Sequence, residues 1–311
     1  QVVTKIILLL VFFASMIAVG LYSRKHATNV NDFVLGGRAV GPWLTAFAYG
    51  TSYFSAVVFV GYAGQFGYKY GLASTWIGIG NAVLGCLLSW LFFANRTRKM
   101  TKKLEAKTMP EYFEKRYDSK GMKIFAAVII FVFLVPYSAA VYKGLGSLFS
   151  AVFPGIETWV WMLIIACLTA VYLVAGGYVA TAYTDLVQGI IMIAGVVCLV
   201  VAVLGHDNVG GLTGLMENLS KVVDNGDGVD GAQLTNLFGG SSFKFLCVNI
   251  MLTSFGTWGL PQMIGKFYAI KDTAAIKRGT IISTLFCAII GCGAYLVGST
   301  SRLILDGQLP E

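Results

Sequence analysis

Charge is what this sequence has least of. Asp, Glu, Lys and Arg make up 12% of its 311 residues against 57% hydrophobic ones, and no soluble domain could solvate its surface with so few. The composition therefore predicts an integral membrane protein. Histidine is scarcer still: His26 and His206 lie in separate loops, and no nucleophile, base and orienter come together around either. A phosphate-cradling Gly-Lys-Ser/Thr loop is also missing from the sequence. The chain thus reads as a non-enzyme without ATP drive, and its energy source should be an ion gradient. Its six cysteines all fall inside apolar runs, where they read as small packing residues with no disulfide or metal role.

What remains is apolar and comes in long stretches. A helix needs roughly 20 apolar residues to cross a bilayer. Eight stretches qualify, at about 4–22, 43–66, 72–94, 121–151, 157–175, 179–204, 243–270 and 279–305. The first has too long an apolar core for a signal peptide, and no small-residue cleavage site follows it, so it is expected to be a true span. The net charge of +8 could suggest nucleic acid, but the distribution argues otherwise. Of 23 Lys and Arg, 17 fall in the loops between spans one and two and between spans three and four, and around the end of span seven. The loop 205–239 has five acids against Lys221 alone. Positive-inside bias then puts the basic loops in the cytoplasm and the N-terminus outside, in a multi-pass protein of the cell membrane.

Three loop features have bland readings. The acids of 224-DNGDGVDG-231 recur every third residue, whereas a calcium loop needs every second, so a solvated acidic turn is expected. Asn218-Leu219-Ser220 is a glycosylation sequon, a pattern short enough to arise without function. The basic amphipathic segment 99–120 should lie against anionic headgroups. Trp159 and Trp161 suit an interfacial aromatic belt, and Lys143 a side chain snorkelling to the outer interface.

Two spans carry interruptions. Span two holds Gly50, Thr51 and Ser52 in a row near its centre, and span seven holds 253-TSFGTWGLP-261, whose Pro261 lacks an N–H. Either alone could be close helix packing through small residues. Two, five spans apart and entering from opposite faces, make the layout of an inverted repeat. There, unwound backbone at midplane offers carbonyls to a cation and helix ends to a substrate, which repays the freed backbone groups. Asp185, in 181-TAYTDLVQG-189, sits at or just inside the inner end of span six, with Gln188 one turn on and facing the same way. It is either a cation ligand or proton relay, or a helix N-cap or first-turn acid favoured by the helix dipole. Tyr137, after Pro136 in span four, is either a packed aromatic or a pocket wall.

The chain resembles the sodium:solute symporter family in five motifs that keep the family's order and spacing. They are 33-FVLGGRAVGPWLTA-46, GYKYGL before span three, TMPEYFEKRYDSK in the inner loop, GGYVATAYTDLVQG at span six, and GLPQMIGKFYAIKDTAAIKRG from span seven onward. The proline and pantothenate branch is the most similar. The resemblance implies an all-α membrane protein with the leucine-transporter-like inverted-repeat bundle, incomplete here at about eight spans. Residues 1–42 would form an extra N-terminal helix and cytoplasmic loop, 43–204 the first five-helix repeat, 205–242 an acidic extracellular loop, and 243–311 the start of the second repeat. The later helices, with the hydroxyls that complete the family's main sodium site, are expected as partners from outside this sequence.

Site residues follow from motif position. The resemblance implies that sodium binds at the carbonyls of Thr51 and Phe54 beside Ser55, with Asp185 at a second sodium site or in a structural role. Substrate would meet Ala46, Gly50, Tyr53, Val57 and Gly61 in span two, Tyr137 in span four, and Thr253, Thr257 and Pro261 in span seven. Proline carriers have bulky aromatics where this chain has Val57, Thr253 and Thr257. Sugar carriers have an amide where it has Val58. A hydroxyl-lined pocket with extra room suggests a small carboxylate or amino acid, and exposed N–H groups after the break in span two favour a carboxylate. The implied activity is uptake of a small organic solute with sodium by alternating access across the lipid bilayer. The alternative is a symporter-like sensor module of a signalling protein.

Overall fold

A computed structural model describes residues 2–23, 30–54, 57–224 and 228–305. Among these residues the fold is helical, apart from one isolated parallel bridge between Val40 and Ile270. The helices are α1 Val2–Ser23, α2 Val30–Leu35, α3 Pro42–Tyr53, α4 Ala63–Tyr70, α5 Thr75–Gly80, α6 Asn95–Lys103, α7 Met109–Tyr117, α8 Lys120–Val152, α9 Thr158–Leu204, α10 Gly211–Ser220, α11 Gly231–Thr235, α12 Phe243–Phe255, α13 Pro261–Ala269 and α14 Thr273–Ile304. Wider π-helical turns at Val57–Tyr62, Asn81–Leu87 and Trp90–Ala94 continue several of them.

Five stretches are long and apolar enough to cross a membrane: Val3–Tyr22, Ala63–Lys103, Lys120–Val152, Gly176–Leu204 and Thr273–Ile304. Thr158–Val171 is a shorter apolar helix. It is separated from its successor at Gly177, whose φ of 60° and ψ of −151° no side-chain-bearing residue holds without strain. That glycine lies between expected spans five and six. Expected spans two and seven are divided, so neither reaches that length in one piece. Span two leaves the helix at Phe54, a few residues beyond Gly50-Thr51-Ser52. Thr51 stays helical, and its hydroxyl donates within the helix to the Phe47 carbonyl at 2.9 Å, one turn before. Span seven opens at Gly256, where α12 ends, and resumes at Pro261, whose missing N–H costs nothing at a first helical position.

The chain forms two compact units. The first comprises 1–52, 90–189 and 260–282. Its core includes an aromatic triad in which the rings of Tyr49, Trp90 and Phe267 lie 5.1–5.6 Å apart, all fully buried. Gly279 allows this packing, since a Cβ there would meet the Trp90 ring at 2.7 Å. At one end Val40 and Ile270 pair in parallel, with Val40 N–H donating to the Ala269 carbonyl and Lys271 N–H to the Val40 carbonyl. Two arginines secure that end. Arg98 donates to the carbonyls of Ile270 and Lys271, and Arg38 to Thr101, Ala106 and Tyr268. Trp161 is buried as well, stacked on Phe149 near the end of α8 with centroids 5.1 Å apart. Of the two tryptophans expected in an interfacial belt, only Trp159 is exposed.

The second unit comprises 53–89, 190–259 and 283–311. Helices touch backbone to backbone in it: a Cβ on Gly67 would lie 2.2 Å from the Gly298 carbonyl carbon, and one on Gly78 would lie 2.5 Å from that of Gly291. Small residues permit such approach in membranes, where dispersion rather than the hydrophobic effect holds helices together. The stretch read as an acidic loop carries α10 and α11. Their Leu215, Leu219 and Leu234 pack with Leu72, Val209 and Val229 into a buried cluster. Asp230 caps α11 by accepting from the Gln233 N–H, and Asp224 accepts from the Gly228 N–H, roles that suit a turn. Residues 225–227 of that motif lie outside the described residues. Asn218 of the sequon spends its amide on the carbonyls of Asn208 and Val209.

Candidate functional site

Of the expected ion-binding residues, Thr51 and Asp185 belong to the first unit. Thr51 lies in the last turn of α3, where carbonyls have no following N–H in the helix to accept. Its half-buried hydroxyl donates to the Phe47 carbonyl, and its main-chain oxygen is of the kind a hard ion prefers. Asp185 stands two turns beyond Gly177, well inside the helix, so it is not a first-turn acid. Its Oδ2 lies 3.3 Å from the Lys266 ammonium, and their side chains are 20% and 10% exposed. Gln188 turns to another neighbour than Asp185, donating to the Met16 sulfur at 3.3 Å.

Ala46 and Gly50 are buried in α3, Tyr137 is half-buried in α8, and Pro261 begins α13, all within the first unit. Helix α8 runs unbroken through Pro136.

In the second unit Phe54 is buried and non-helical, and Ser55 lies outside the described residues. Val57 and Gly61 fall in the π-helical turn, and a Cβ on Gly61 would meet nothing within 4 Å. Tyr53, Thr253 and Thr257 are brought together. The Tyr53 hydroxyl donates to the Thr253 carbonyl at 2.9 Å, and the Thr257 hydroxyl to the Ser254 carbonyl at 2.8 Å. The sequence reading missed Asn81, fully buried in the π-helical segment Asn81–Leu87, with its Oδ1 2.8 Å from the Thr253 hydroxyl and 3.3 Å from that of Ser254. Thr253 has one proton and a competing acceptor, the Asn249 carbonyl, also at 2.8 Å. Nδ2 of Asn81 has no partner among the described residues. A lone amide in the apolar run 72–94 was the available signal. A buried polar atom without a partner calls for an explanation, and a bound ligand is one.

Lys266 was the other omission. It counts among the basic residues that orient the chain, yet it is 8% exposed inside α13, with its ammonium 5.4 Å from the centroid of the Tyr178 ring. Its signal was position: a lysine five residues after a helix-opening proline stays on the span, short of the loop.

The model of the sodium:solute symporter family matches residues 33–304. The osmoregulated proline transporter OpuE of Bacillus subtilis (strain 168) is 30% identical over 296 residues, covering 94% of this chain and 57% of its own length. A sodium/proline symporter of Staphylococcus aureus (strain JH9) is 30% identical over 298 residues, covering 94% and 55%. The chain therefore spans just over half the length of these relatives. Among solved structures, a Na+-coupled sialic acid symporter in its substrate-bound outward-open state superposes with a TM-score of 0.72 at 19% identity, covering 97% of this chain and 65% of that one. At that identity the likeness shows the fold.

Proposed function

Because the chain belongs to the sodium:solute symporter family, we propose that it is part of a secondary transporter that couples inward sodium flow to uptake of a small organic solute. It is a multi-pass membrane protein, and the charge bias of its loops supports a place in the cell membrane with the N-terminus outside. The observation that carries the reading is that the two helices whose sequences interrupt them both lose their ladder, α3 at Phe54 and α12 at Gly256. A ladder abandoned inside an apolar span is costly without a partner, and an ion with its solute supplies one.

The sodium part of the reading rests on the first unit. Last-turn carbonyls of α3, that of Thr51 among them, are the kind of donor that suits a hard monovalent cation. Asp185 supplies the negative charge. The solute part rests on the second unit. Hydroxyls of Tyr53, Thr253 and Thr257 and the amide of Asn81 present donors and acceptors suited to a carboxylate or an amino acid. Gly61, in the same unit, is proposed to contribute shape more than polarity; Ala46, Gly50, Tyr137 and Pro261 lie in the first unit.

Thermal unfolding of the purified full-length protein against a panel of carboxylates and amino acids, each with sodium or with choline, tests this reading. At least one solute should stabilise it, and more strongly in sodium. Equal stabilisation in both salts, or none from any solute, would reject it.

A further inference from the structure

We propose that Lys266 is a tethered cation: it holds the Asp185 carboxylate while no sodium is bound there, and arriving sodium displaces it. The inference rests on the reading of Asp185 as a sodium ligand. Lys266 follows the break in span seven and reaches across to the helix of Asp185 with its ammonium nitrogen 3.3 Å from Oδ2. On its other side lies the Tyr178 ring, 5.4 Å away, a second face attractive to a cation.

The physical argument is competition. A carboxylate this enclosed is costly to leave bare, and while it stays ionised a cation must accompany it. Sodium and an alkylammonium carry the same charge and seek the same oxygen, but the ammonium cannot diffuse away, and its supply does not depend on the solution. The ion-free protein thus keeps a neutral pair where it would otherwise carry a lone buried charge. Displacement also needs somewhere for the ammonium to go. A cavity of about 540 Å³ in the same unit is lined by Lys266 itself together with Tyr178, Gln262, Thr108 and Lys107. A released Lys266 can swing into it, keep the Tyr178 face and gain the Gln262 amide. The pair therefore sets how much sodium the protein needs. If Asp185 is free of Lys266 a tenth of the time, apparent sodium affinity is weakened about tenfold, and removing the ammonium restores it.

The test is thermal unfolding of the purified full-length protein titrated with sodium chloride against choline chloride at constant ionic strength. Lys266→Met should unfold earlier than the parent in choline and recover in sodium, with half-saturation at about a tenth of the parent's sodium concentration. Lys266→Arg, which keeps the cation, should stay near the parent, and the double variant Asp185→Asn with Lys266→Met should lose the gain. An unchanged half-saturating concentration in Lys266→Met, or an equal loss of stability in both salts, would overturn the proposal while leaving sodium coupling intact. A parent protein that ignores sodium would instead overturn the reading of Asp185 and this proposal with it. Should Lys266→Met fold in neither salt, Lys266→Gln takes its place with the same two outcomes.

Discussion

Tyr53 and Thr253 stand 200 residues apart in sequence, yet the phenol of one donates to the carbonyl of the other at 2.9 Å. Tyr53 is the last helical residue of α3, and Thr253 lies in the final turn of α12, so the bond joins the points at which both interrupted spans give up their ladder. Tyr53→Phe removes the donor and keeps the ring. The orphaned carbonyl should cost about 1–3 kcal/mol, read as a lower unfolding temperature. An unchanged transition would mean that the carbonyl finds another partner and that the bond does not bind the two spans.

Thr257 bears on what is transported. Its side chain is half-buried, with its hydroxyl turned back to the Ser254 carbonyl. Thr257→Tyr adds a ring where the solute pocket is proposed. The set of solutes that compete for uptake should narrow toward smaller ones, while the dependence on sodium stays as it was. The same competition profile before and after the change would remove Thr257 from the pocket.

Arg38 is the fastener of the basic end of the first unit. Its guanidinium donates to the Thr101 hydroxyl and to the carbonyls of Thr101, Ala106 and Tyr268 at 2.6–3.3 Å. Lysine has no planar fork to serve several carbonyls at once, so Arg38→Lys should not preserve the network. The expected loss is about 1.5–3 kcal/mol, with faster proteolysis at residues 104–108. Cleavage at the parent rate would show that the loop is held by something else.

Glu111 gives the inner loop a pH dependence. Thr108 caps α7, and Glu111 three residues on reaches back to accept from the Lys107 N–H at 2.7 Å while pairing with Lys115 at 3.1 Å. Partial burial works against its charge, but the Lys107 amide and Lys115 outweigh it and hold the carboxyl below its ordinary value. A carboxyl depressed by folding stabilises fully above its unfolded value, about 4.3, and that contribution fades as pH falls through the folded one. Hydrogen exchange at the start of α7 should therefore quicken on acidification below about pH 4 in the parent. Glu111→Gln, whose amide oxygen can still accept from the Lys107 N–H, should lose only the part owed to charge, exchange somewhat faster than the parent at neutral pH and be indifferent to acid. A parent whose exchange shows no such rise would separate the cap from the carboxylate charge.

Much of this was legible from residue order. The proline and two glycines of 256–261 mark the opening of span seven at its true place, because a missing N–H and two missing side chains act locally. The break in span two was displaced, since a glycine and two hydroxyl residues are compatible with a helix that keeps its hydroxyl bonds internal, as Thr51 does with the Phe47 carbonyl. Gly177 was readable as a gap between spans, though its φ of 60° was not. The partners of polar residues were out of reach. Asp185 stands in the sequence with nothing to indicate Lys266, 81 positions away, and Asn81 is likewise 172 positions from Thr253. Periodicity reports which face of a helix is apolar; it does not report which helix that face meets. The helices within 205–242 were hidden by their acids and glycines, although Leu215 and Leu219 are spaced by one turn.

Uptake of a stabilising solute by the full-length protein in proteoliposomes tests the central claim most directly. With sodium outside and choline within, the solute should accumulate above its external concentration, and dissipating the sodium gradient should abolish the accumulation. Accumulation that persists without a sodium gradient would contradict the account.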